Sequence, residues 1–426
     1  MIRFLLKGLF RDKSRSLLPL IVVAIGVALA VFARGYIKGL MVEMIEKTAQ
    51  LTTGHVKVTT KAYSENMDQL PNDLALLGAA AFRTELEKAF PEMKWVARIK
   101  FGGLIDVPDE NGETRSQGPG VGIGLDLLSA GSGEAERLNL QKSLVRGALP
   151  SAPGEVLLSE DFARKLEVAP GAEITLIGTT MNGGMAIHNF RLAGTVRFGN
   201  TGMDRGTVIA DISDVQLALD MDDAAGEILG FFRQGYYEDE FAAPVVAKFK
   251  EIYPEDHDEF APSILRLSDQ EGLALYVGLT RSMGATITIV FMIAMSLVLW
   301  NAGLLGGLRR YGEIGIRLAI GEEKGHVYRS MIAESLMVGL AGTILGTAIG
   351  LGLSYLMQVK GLDISQFTKN ATTAIMMPDI ARSRITPPDF YIGFIPGVIS
   401  TVIGTMLSGA GIYKRKTAQL FKELEA

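Results

Sequence analysis

The chain has 426 residues, of which 48% are hydrophobic and 21% charged, with a formal net charge of −5. The apolar content is above that of an ordinary soluble protein, and the length allows two or three domains. The acidic balance argues against a nucleic-acid-binding face, and the absence of cysteine excludes a disulfide framework.

The N-terminal segment 1–15 predicts an interfacial amphipathic helix. Apolar residues recur there at helical spacing among basic ones: Ile2, Leu5, Leu6 and Leu9. With the apolar run that follows, the segment also resembles a signal peptide, for which Ala28 to Ala30 offer a cleavage site. An uncleaved first span is preferred, because the basic segment is longer than an ordinary signal-peptide N-region.

Four runs contain no Asp, Glu, Lys or Arg: 16–33, 282–308, 335–359 and 390–413. About 20 helical residues cross a hydrocarbon core of roughly 30 Å, so each run predicts a membrane-spanning helix. The chain then divides into 1–15, cytoplasmic helix; 16–50, span 1 and first stalk; 51–267, outer α/β domain; 268–308, second stalk and span 2; 309–334, cytoplasmic loop; 335–359, span 3; 360–389, short outer loop; 390–413, span 4; and 414–426, cytoplasmic tail.

Basic residues set the predicted orientation. Segments 1–15, 309–334 and 414–426 together hold 14 lysines and arginines, whereas 360–389 holds 4. Because basic residues collect on the cytoplasmic side, both termini are predicted to be cytoplasmic and residues 34–281 to lie outside.

The helical pattern continues beyond the first apolar run and predicts a stalk, with apolar residues at Ile37, Leu40, Met41, Met44 and Ile45. A second stalk leads into span 2, where Ser268 and Glu271 have capping-box spacing. Between the stalks we predict a mixed α/β domain with a strand-rich insertion from about 115 to 245. Its predicted strands are 56–59, 97–107, 155–158, 173–177 and 190–198, and its predicted helices are 73–90, 160–166 and 244–253.

The cytoplasmic loop contains the sequence RRYGEIGIRLAIG at 309–321, which predicts a short helix. Ile314 and Leu318 lie one turn apart, Glu313 and Arg317 have the spacing of an ion pair, and Gly321 is placed to end the helix. On composition alone, the segment fits an ordinary basic loop beside the membrane equally well.

This loop, continued by VYRSMIAESL at 327–336, resembles the coupling-helix signature of an ABC transporter permease family. That family includes the macrolide exporter MacB, the lipoprotein-releasing permeases LolC and LolE, and the cell-division protein FtsX. The sequence LTTGHVKV at 51–58 is similar to Lol-type permeases, and segments 154–166 and 170–176 resemble the family's outer domain. The resemblance covers nearly the whole chain.

The resemblance implies an α-helical integral membrane protein of the bacterial inner membrane, with four transmembrane helices and a large mixed α/β extracytoplasmic domain inserted between helices 1 and 2. It implies two copies of a cytoplasmic ABC ATPase as partners, with a second permease that is identical or homologous. The expected contacts with the ATPase are Arg310, Glu313, Ile314, Gly315, Arg317, Leu318, Ala319 and Gly321. ATP and magnesium would bind the ATPase, and no cofactor is expected on this chain.

MacB carries an ATPase ahead of its first span, whereas only 15 residues precede the first run here. We therefore expect the ATPase to be a separate polypeptide. The chain contains no G-x-x-x-x-G-K-[ST] phosphate loop, and the LSGAG sequence at 407–411, similar to an ABC signature, lies in the fourth run. No catalytic residue is predicted.

The expected function is extraction of lipoproteins from the inner membrane, with possible transfer to a periplasmic carrier. Two alternatives stay open: MacB-like efflux of a peptide, toxin or drug, and FtsX-like signalling to a cell-wall hydrolase. An apolar surface for acyl chains and membrane lipid is predicted at Ile37, Leu40, Met41, Met44, Leu279 and Met283. Ordinary core packing explains these residues as well.

The last candidates are three glycines, considered for helix packing, and four histidines, considered as metal ligands. Gly342, Gly346 and Gly350 form a doubled G-x-x-x-G in the third run, which predicts close helix packing. The four histidines, His55, His188, His257 and His326, lack metal-ligand spacing, and there is no cysteine, so no metal site is predicted.

Overall fold

The computed structural model describes residues 13–199, 201–254, 257–270, 273–308, 311–364 and 380–414. The amphipathic helix predicted at 1–15, Glu271 of the predicted capping box and Arg310 of the loop therefore fall wholly or largely outside the described residues. The chain forms two compact units. One comprises the described parts of Met1–Met41, Leu279–Asp363 and Ile380–Ala426, and the other those of Val42–Gly278 and Ile364–Asp379.

The α-helices are α1 Lys13–Thr48, α2 Lys61–Glu65, α3 Ala79–Ala89, α4 Glu134–Arg137, α5 Leu140–Ser143, α6 Glu160–Lys165, α7 Thr201–Asp204, α8 Ile212–Leu219, α9 Asp239–Ile252, α10 Leu273–Leu308, α11 Tyr311–Ala319, α12 Lys324–Lys360 and α13 Thr401–Lys414. Two π-helical segments, Ala49–Thr53 and Ile395–Ser400, follow α1 and precede α13. The strands are β1 Val56–Thr60, β2 Leu76–Leu77, β3 Met93–Pro108, β4 Thr114–Leu125, β5 Leu144–Gly147, β6 Glu155–Ser159, β7 Glu173–Thr179, β8 Met185–Val196, β9 Thr207–Asp211, β10 Ala224–Ala225, β11 Glu227–Phe232, β12 Pro262–Arg266, β13 Leu362–Asp363 and β14 Ile380–Ala381.

The first unit is a bundle of long apolar helices. Among the described residues, four helical stretches are long and apolar enough to cross a membrane: Leu17–Thr53, Leu273–Ala319, Lys324–Lys360 and Pro387–Ala410. The prediction of four spanning helices is confirmed. Arg34 forms an ion pair with the buried carboxylate of Asp389 and donates a hydrogen bond to Thr386 Oγ1 at 3.1 Å, which ties α1 to the start of the fourth span.

The second unit contains a closed barrel. Within the described ranges, strand pairing runs β3–β4–β9–β6–β8–β7 and returns to β3. The β4–β9 and β6–β8 pairs are parallel and the others antiparallel. Among the described residues, each of these six strands pairs on both sides, and β5 pairs with the end of β8. Alternate residues such as Ile174 and Leu176 of β7 point into the core.

Glycines on β4 make room for aromatic rings inside this barrel. A Cβ atom at Gly122 would lie 1.9 Å from the ring of Phe101, and one at Gly118 would lie 3.0 Å from the ring of Phe162. The glycines that alternate along β4 therefore present backbone atoms, and no side chains, to the interior of the barrel. Phe101 and Phe162 fill the space that side chains would otherwise occupy.

A four-stranded antiparallel sheet, β12–β1–β11–β3, extends from the barrel. Its core includes Trp95, Phe90 and Phe249, the last contributed by α9, together with Ile45 and Ala49 from the end of the first helix. The long strand β3 belongs to both parts, pairing with β11 over its first residues and with β4 and β7 further on.

Three predicted elements differ in extent. The helix predicted at 73–90 begins only at Ala79, because Leu76–Leu77 pair as a strand with Ala224–Ala225 and Gly78 takes a left-handed φ of 64°. Helix α9 starts before the predicted 244–253, where acidic residues at Asp239 and Glu240 favour a helix start. The capping interaction before span 2 involves Arg266 and Asp269 around the 3₁₀ turn Leu267–Asp269.

Candidate functional site

The short helix α11 is anchored through one face. Tyr311 and Ile314 are buried in a cluster with Val327 and Met331 of α12, and Leu318 packs against its edge. The hydroxyl of Tyr311 donates a 2.6 Å hydrogen bond to the carbonyl oxygen of Ser408 in α13. Gly315 is also buried. Of the residues predicted to contact a partner, Ile314 and Leu318 therefore pack against this chain's own bundle.

The opposite face of α11 carries apolar residues that the sequence did not single out. The side chain of Ile316 is 47% exposed, and that of Ile320, just past the helix end, is 81% exposed. They have the same one-turn spacing as Ile314 and Leu318, so the sequence contained the signal for both faces but not which one is covered. Glu313 and Ala319 are exposed as well, and their contact with a partner stays a prediction.

The end of α11 is fixed by an ion pair and a glycine. Arg317 donates to both carboxylate oxygens of Glu322, at 2.7 and 2.6 Å. This hydrogen bonding lowers the pKa of the Glu322 carboxyl. Glu313, the partner predicted from the sequence spacing, also interacts with Arg317 electrostatically. Gly321 has a φ of 100°, a conformation that favours glycine, and its amide donates to the Leu318 carbonyl.

The glycine stripe of α12 lies directly against α1. A Cβ atom at Gly346 would lie 2.5 Å from the Ala24 carbonyl oxygen, and one at Gly350 would lie 2.8 Å from that of Ala28. At Gly342 the obstacle is the side chain of Val23, 2.7 Å away. The three glycines therefore allow the backbones of two spanning helices to approach.

The residues of the candidate acyl-chain surface are divided between helices α1 and α10. Met41 of α1 packs over Gly284 of α10, where a Cβ would lie 2.9 Å from Met41 Cγ. Leu279 and Met283 are 52% and 58% exposed. Ile37, Leu40 and Met44 are partly buried. The structure thus brings Met41 beside α10 and leaves Leu279 and Met283 uncovered.

The structure also shows the surroundings of two other sequence candidates, His55 and the LSGAG sequence at 407–411. His55 is buried, with Nε2 2.9 Å from Glu46 Oε2 and Nδ1 accepting from the Phe232 amide at 2.9 Å. No group of three metal-ligating side chains occurs among the described residues. In the LSGAG sequence, Ser408 is buried in α13, and a Cβ at Gly409 would lie 2.7 Å from the ring of Tyr328, so this sequence is helix-packing surface.

Two family models match the chain. The MacB-like periplasmic core domain matches residues 16–242, and the FtsX-like permease C-terminal model matches residues 285–417. The chain belongs to the MacB/FtsX family of ABC transporter permeases. The first match takes in most of α1 and most of the α/β unit, and the second takes in most of the other three spanning helices, with α11 between two of them.

Curated relatives of this permease include two macrolide export ATP-binding/permease proteins named MacB. That of Chromobacterium violaceum is 26% identical over 112 residues, which is 26% of this chain and 17% of the relative. That of Bdellovibrio bacteriovorus is 33% identical over 72 residues, which is 17% of this chain and 11% of the relative. The permease thus matches less than a fifth of the length of either relative.

Among solved structures, the permease is similar to the periplasmic region of MacB from Actinobacillus actinomycetemcomitans. The identity is 13%, the TM-score is 0.35, and the similarity covers 57% of this chain and 97% of that one.

Proposed function

We propose that this permease couples ATP hydrolysis by a separate ABC ATPase to movement of its α/β unit. Two ATPase copies and a second permease, identical or homologous, would complete the complex in the bacterial inner membrane. Residues 16–242 match a MacB-like periplasmic core domain, and residues 285–417 match an FtsX-like permease C-terminal domain. The basic residues of 1–15, 309–334 and 414–426 favour cytoplasmic termini and a periplasmic α/β unit.

The observation that supports coupling best is the continuity of the first helix. Helix α1 runs from Lys13 to Thr48 and continues as the π-helical segment to Thr53, so one helical element belongs to both compact units. Ile45 and Ala49, near its end, are buried in the core of the α/β unit. Pro19 removes one backbone hydrogen bond near the start of α1, but the helix continues past it to Thr48, and a continuous helix can carry displacement along its axis.

The surface proposed to receive the ATPase is the exposed face of α11. Ile316 and Ile320 supply apolar contact area, and Ala319 and Gly321 are small enough to let a partner approach closely. The buried face, with Tyr311 and Ile314, would pass the displacement to α12 and α13, which it contacts directly. This assignment retains the predicted segment and changes which of its residues touch the partner.

For cargo, we propose lipoproteins that leave the outer leaflet of the inner membrane for a periplasmic carrier. Removing acyl chains from lipid costs about 0.8 kcal/mol per CH₂ group, so extraction in one step requires an energy source and an apolar surface. The exposed Leu279 and Met283 of α10, with Met41 nearby on α1, offer such a surface.

A second candidate is efflux of a small molecule or peptide. It is favoured by the curated relatives, whose names describe macrolide export. A third candidate is signalling to a cell-wall hydrolase, in which case a soluble hydrolase would co-purify with the permease.

The experiment is purification of the full-length permease with its ATPase in nanodiscs, under nucleotide-free and vanadate-trapped conditions. We expect mass spectrometry to find triacylated proteins bound before trapping and released after it. Persistent recovery of a soluble hydrolase, or stimulation of ATPase activity by macrolides with no bound acylated protein, would contradict the lipoprotein proposal. Failure of any ATPase to co-purify would contradict the coupling proposal itself.

A further inference from the structure

The end of the first helix is held by side chains of the α/β unit. The last carbonyls of a helix have no partner within it. Here Arg98 donates to the carbonyls of Gln50 and Leu51, at 2.9 and 3.1 Å. Lys100 Nζ donates to Thr52 at 3.0 Å, and Gln270 Nε2 donates to Thr53 at 3.3 Å. We call Arg98, Lys100 and Gln270 the carbonyl clamp.

The clamp is embedded in paired charges. Arg98 is fully buried, and its Nε lies 2.8 Å from Glu134 Oε2. Glu227 is shared by two lysines, with Lys100 Nζ at 2.8 Å and Lys57 Nζ at 2.7 Å. Buried cations are costly unless paired, and cations at a helix C-terminus interact favourably with its dipole. The geometry meets both conditions: Arg98 and Lys100 are each paired with a carboxylate and each donates to a carbonyl at the helix end.

The clamp lies where the central strand passes from one part of the unit to the other. Arg98 is opposite Glu227 of β11 in the sheet, and the next residue, Ile99, is opposite Gly124 of β4 in the barrel. The helix end also contacts both cores. Ala49 belongs to the sheet core, and Leu51 belongs to a cluster with barrel residues of β4, β6 and β9.

We propose that Arg98 and Lys100 are positioning residues that transmit displacement of the first helix to the barrel. Among the described contacts, neither residue touches the proposed ATPase surface or the proposed cargo surface. Their action is exerted on strand β3, at the point where it enters the barrel, through the carbonyls that end the helix. This inference rests on the proposed coupling function and names the residues that carry the movement.

The chain offers a matched pair of variants. Lys100→Met and Lys57→Met each leave Glu227 with one lysine, but Lys100 alone of the two has a hydrogen bond to the helix end among the described contacts. A third variant, Arg98→Lys, keeps the charge and loses the planar fork that reaches two carbonyls.

The first measurement is hydrogen–deuterium exchange on the full-length permease in nanodiscs, without ATPase. A hydrogen bond to a charged group contributes about 1.5–3 kcal/mol, and each 1.4 kcal/mol is tenfold, so Lys100→Met should speed exchange at residues 49–54 by about tenfold or more. Lys57→Met should leave that segment unchanged. Equal exchange in the two variants would show that Lys100 does not hold the helix end.

The second measurement tests whether a displacement of α1 reaches the barrel. The chain has no cysteine, so spin labels at Lys38→Cys, on α1, and Glu110→Cys, in the β3–β4 turn, are specific. In the complex with ATPase, vanadate trapping should shift the distance between the labels in the parent and in Lys57→Met. The shift should be lost in Lys100→Met and reduced in Arg98→Lys, with Lys100→Arg restoring it.

The two failures are distinguishable. If the parent complex shows no shift on trapping, the coupling function and the inference both fall. If the parent shifts and Lys100→Met shifts equally, coupling stands and the clamp is overturned as its transmitter. A fold defect in Lys100→Met would appear as faster exchange throughout the unit, and Arg98→Lys then decides the question through the same distance measurement.

Discussion

At the scale of single residues, glycines decide how closely the spanning helices approach. Gly346 and Gly352 lie on the same helix, α12, but only the first faces a neighbouring backbone. A Cβ at Gly346 would lie 2.5 Å from the Ala24 carbonyl, whereas a Cβ at Gly352 would meet no described atom within 4 Å. Replacing each glycine by the same residue therefore distinguishes an effect on helix packing from an effect on helix propensity.

We expect Gly346→Val to lower the stability of the full-length permease in detergent by about 1–3 kcal/mol, because overpacking forces α1 and α12 apart. Gly352→Val should leave stability nearly unchanged. The measurement is the apparent melting temperature, followed by the monodisperse fraction after heating. Equal destabilisation by both substitutions would mean that the stripe is not the contact between these helices.

A second prediction concerns the buried carboxylate of Glu227. Burial alone would raise its pKa, but the ammonium groups of Lys100 and Lys57 outweigh burial and lower the pKa to about 2. Since the folded pKa lies below the ordinary 4.5, the carboxylate contributes stability above pH 4.5 that is lost as pH falls towards 2.

The expected size of this loss is about 3 kcal/mol, from 1.36 kcal/mol per pKa unit. Denaturant unfolding of the full chain at several pH values, followed by tryptophan fluorescence, measures it. Glu227→Gln should be less stable at neutral pH and lose less stability on acidification, while the exposed Glu87→Gln serves as control. If the stability of Glu227→Gln fell with pH as steeply as that of the parent, the Glu227 carboxylate would not be the group responsible for the acid-dependent loss.

At the scale of elements, the sequence predicted what local physics determines. Long runs without charge require helices in lipid, so four spans could be read directly, and the loop between spans 2 and 3 was recognisable as a short helix. Barrel closure was not predictable, because the β3–β7 pairing joins residues about 70 positions apart and no local pattern encodes it. Likewise, only the contact with Val327 and Met331 reveals which face of α11 is covered.

The uncovered face of α11 gives a third prediction. We expect Ile320→Asp to reduce ATPase association and stimulation at least tenfold, because a charge replaces an apolar contact while the buried anchor Tyr311 is untouched. The control is Ile187→Asp, which alters a similarly exposed isoleucine in the barrel. Pull-down of the ATPase by each variant, with expression and melting temperature checked, is the measurement. Retention of full association by Ile320→Asp would exclude this face as the docking surface.

At the scale of the whole molecule, the proposed coupling depends on a helix that is continuous from one compact unit into the other. Inserting a glycine tripeptide after Lys38 would interrupt α1 within its length, because glycine weakens a helix interior. The same insertion after Gly112 falls in the exposed β3–β4 turn and leaves α1 intact.

We expect the Lys38 insertion to preserve ATP hydrolysis and abolish cargo release, since α11 and its anchor in α12 and α13 are unaffected while displacement no longer reaches the clamp. The turn insertion should retain both activities. The measurements are ATPase rate and release of bound cargo from nanodiscs, made on the same preparations. If cargo release survives the interruption of α1, movement reaches the α/β unit by another element, of which α10 is the direct candidate because it too belongs to both units.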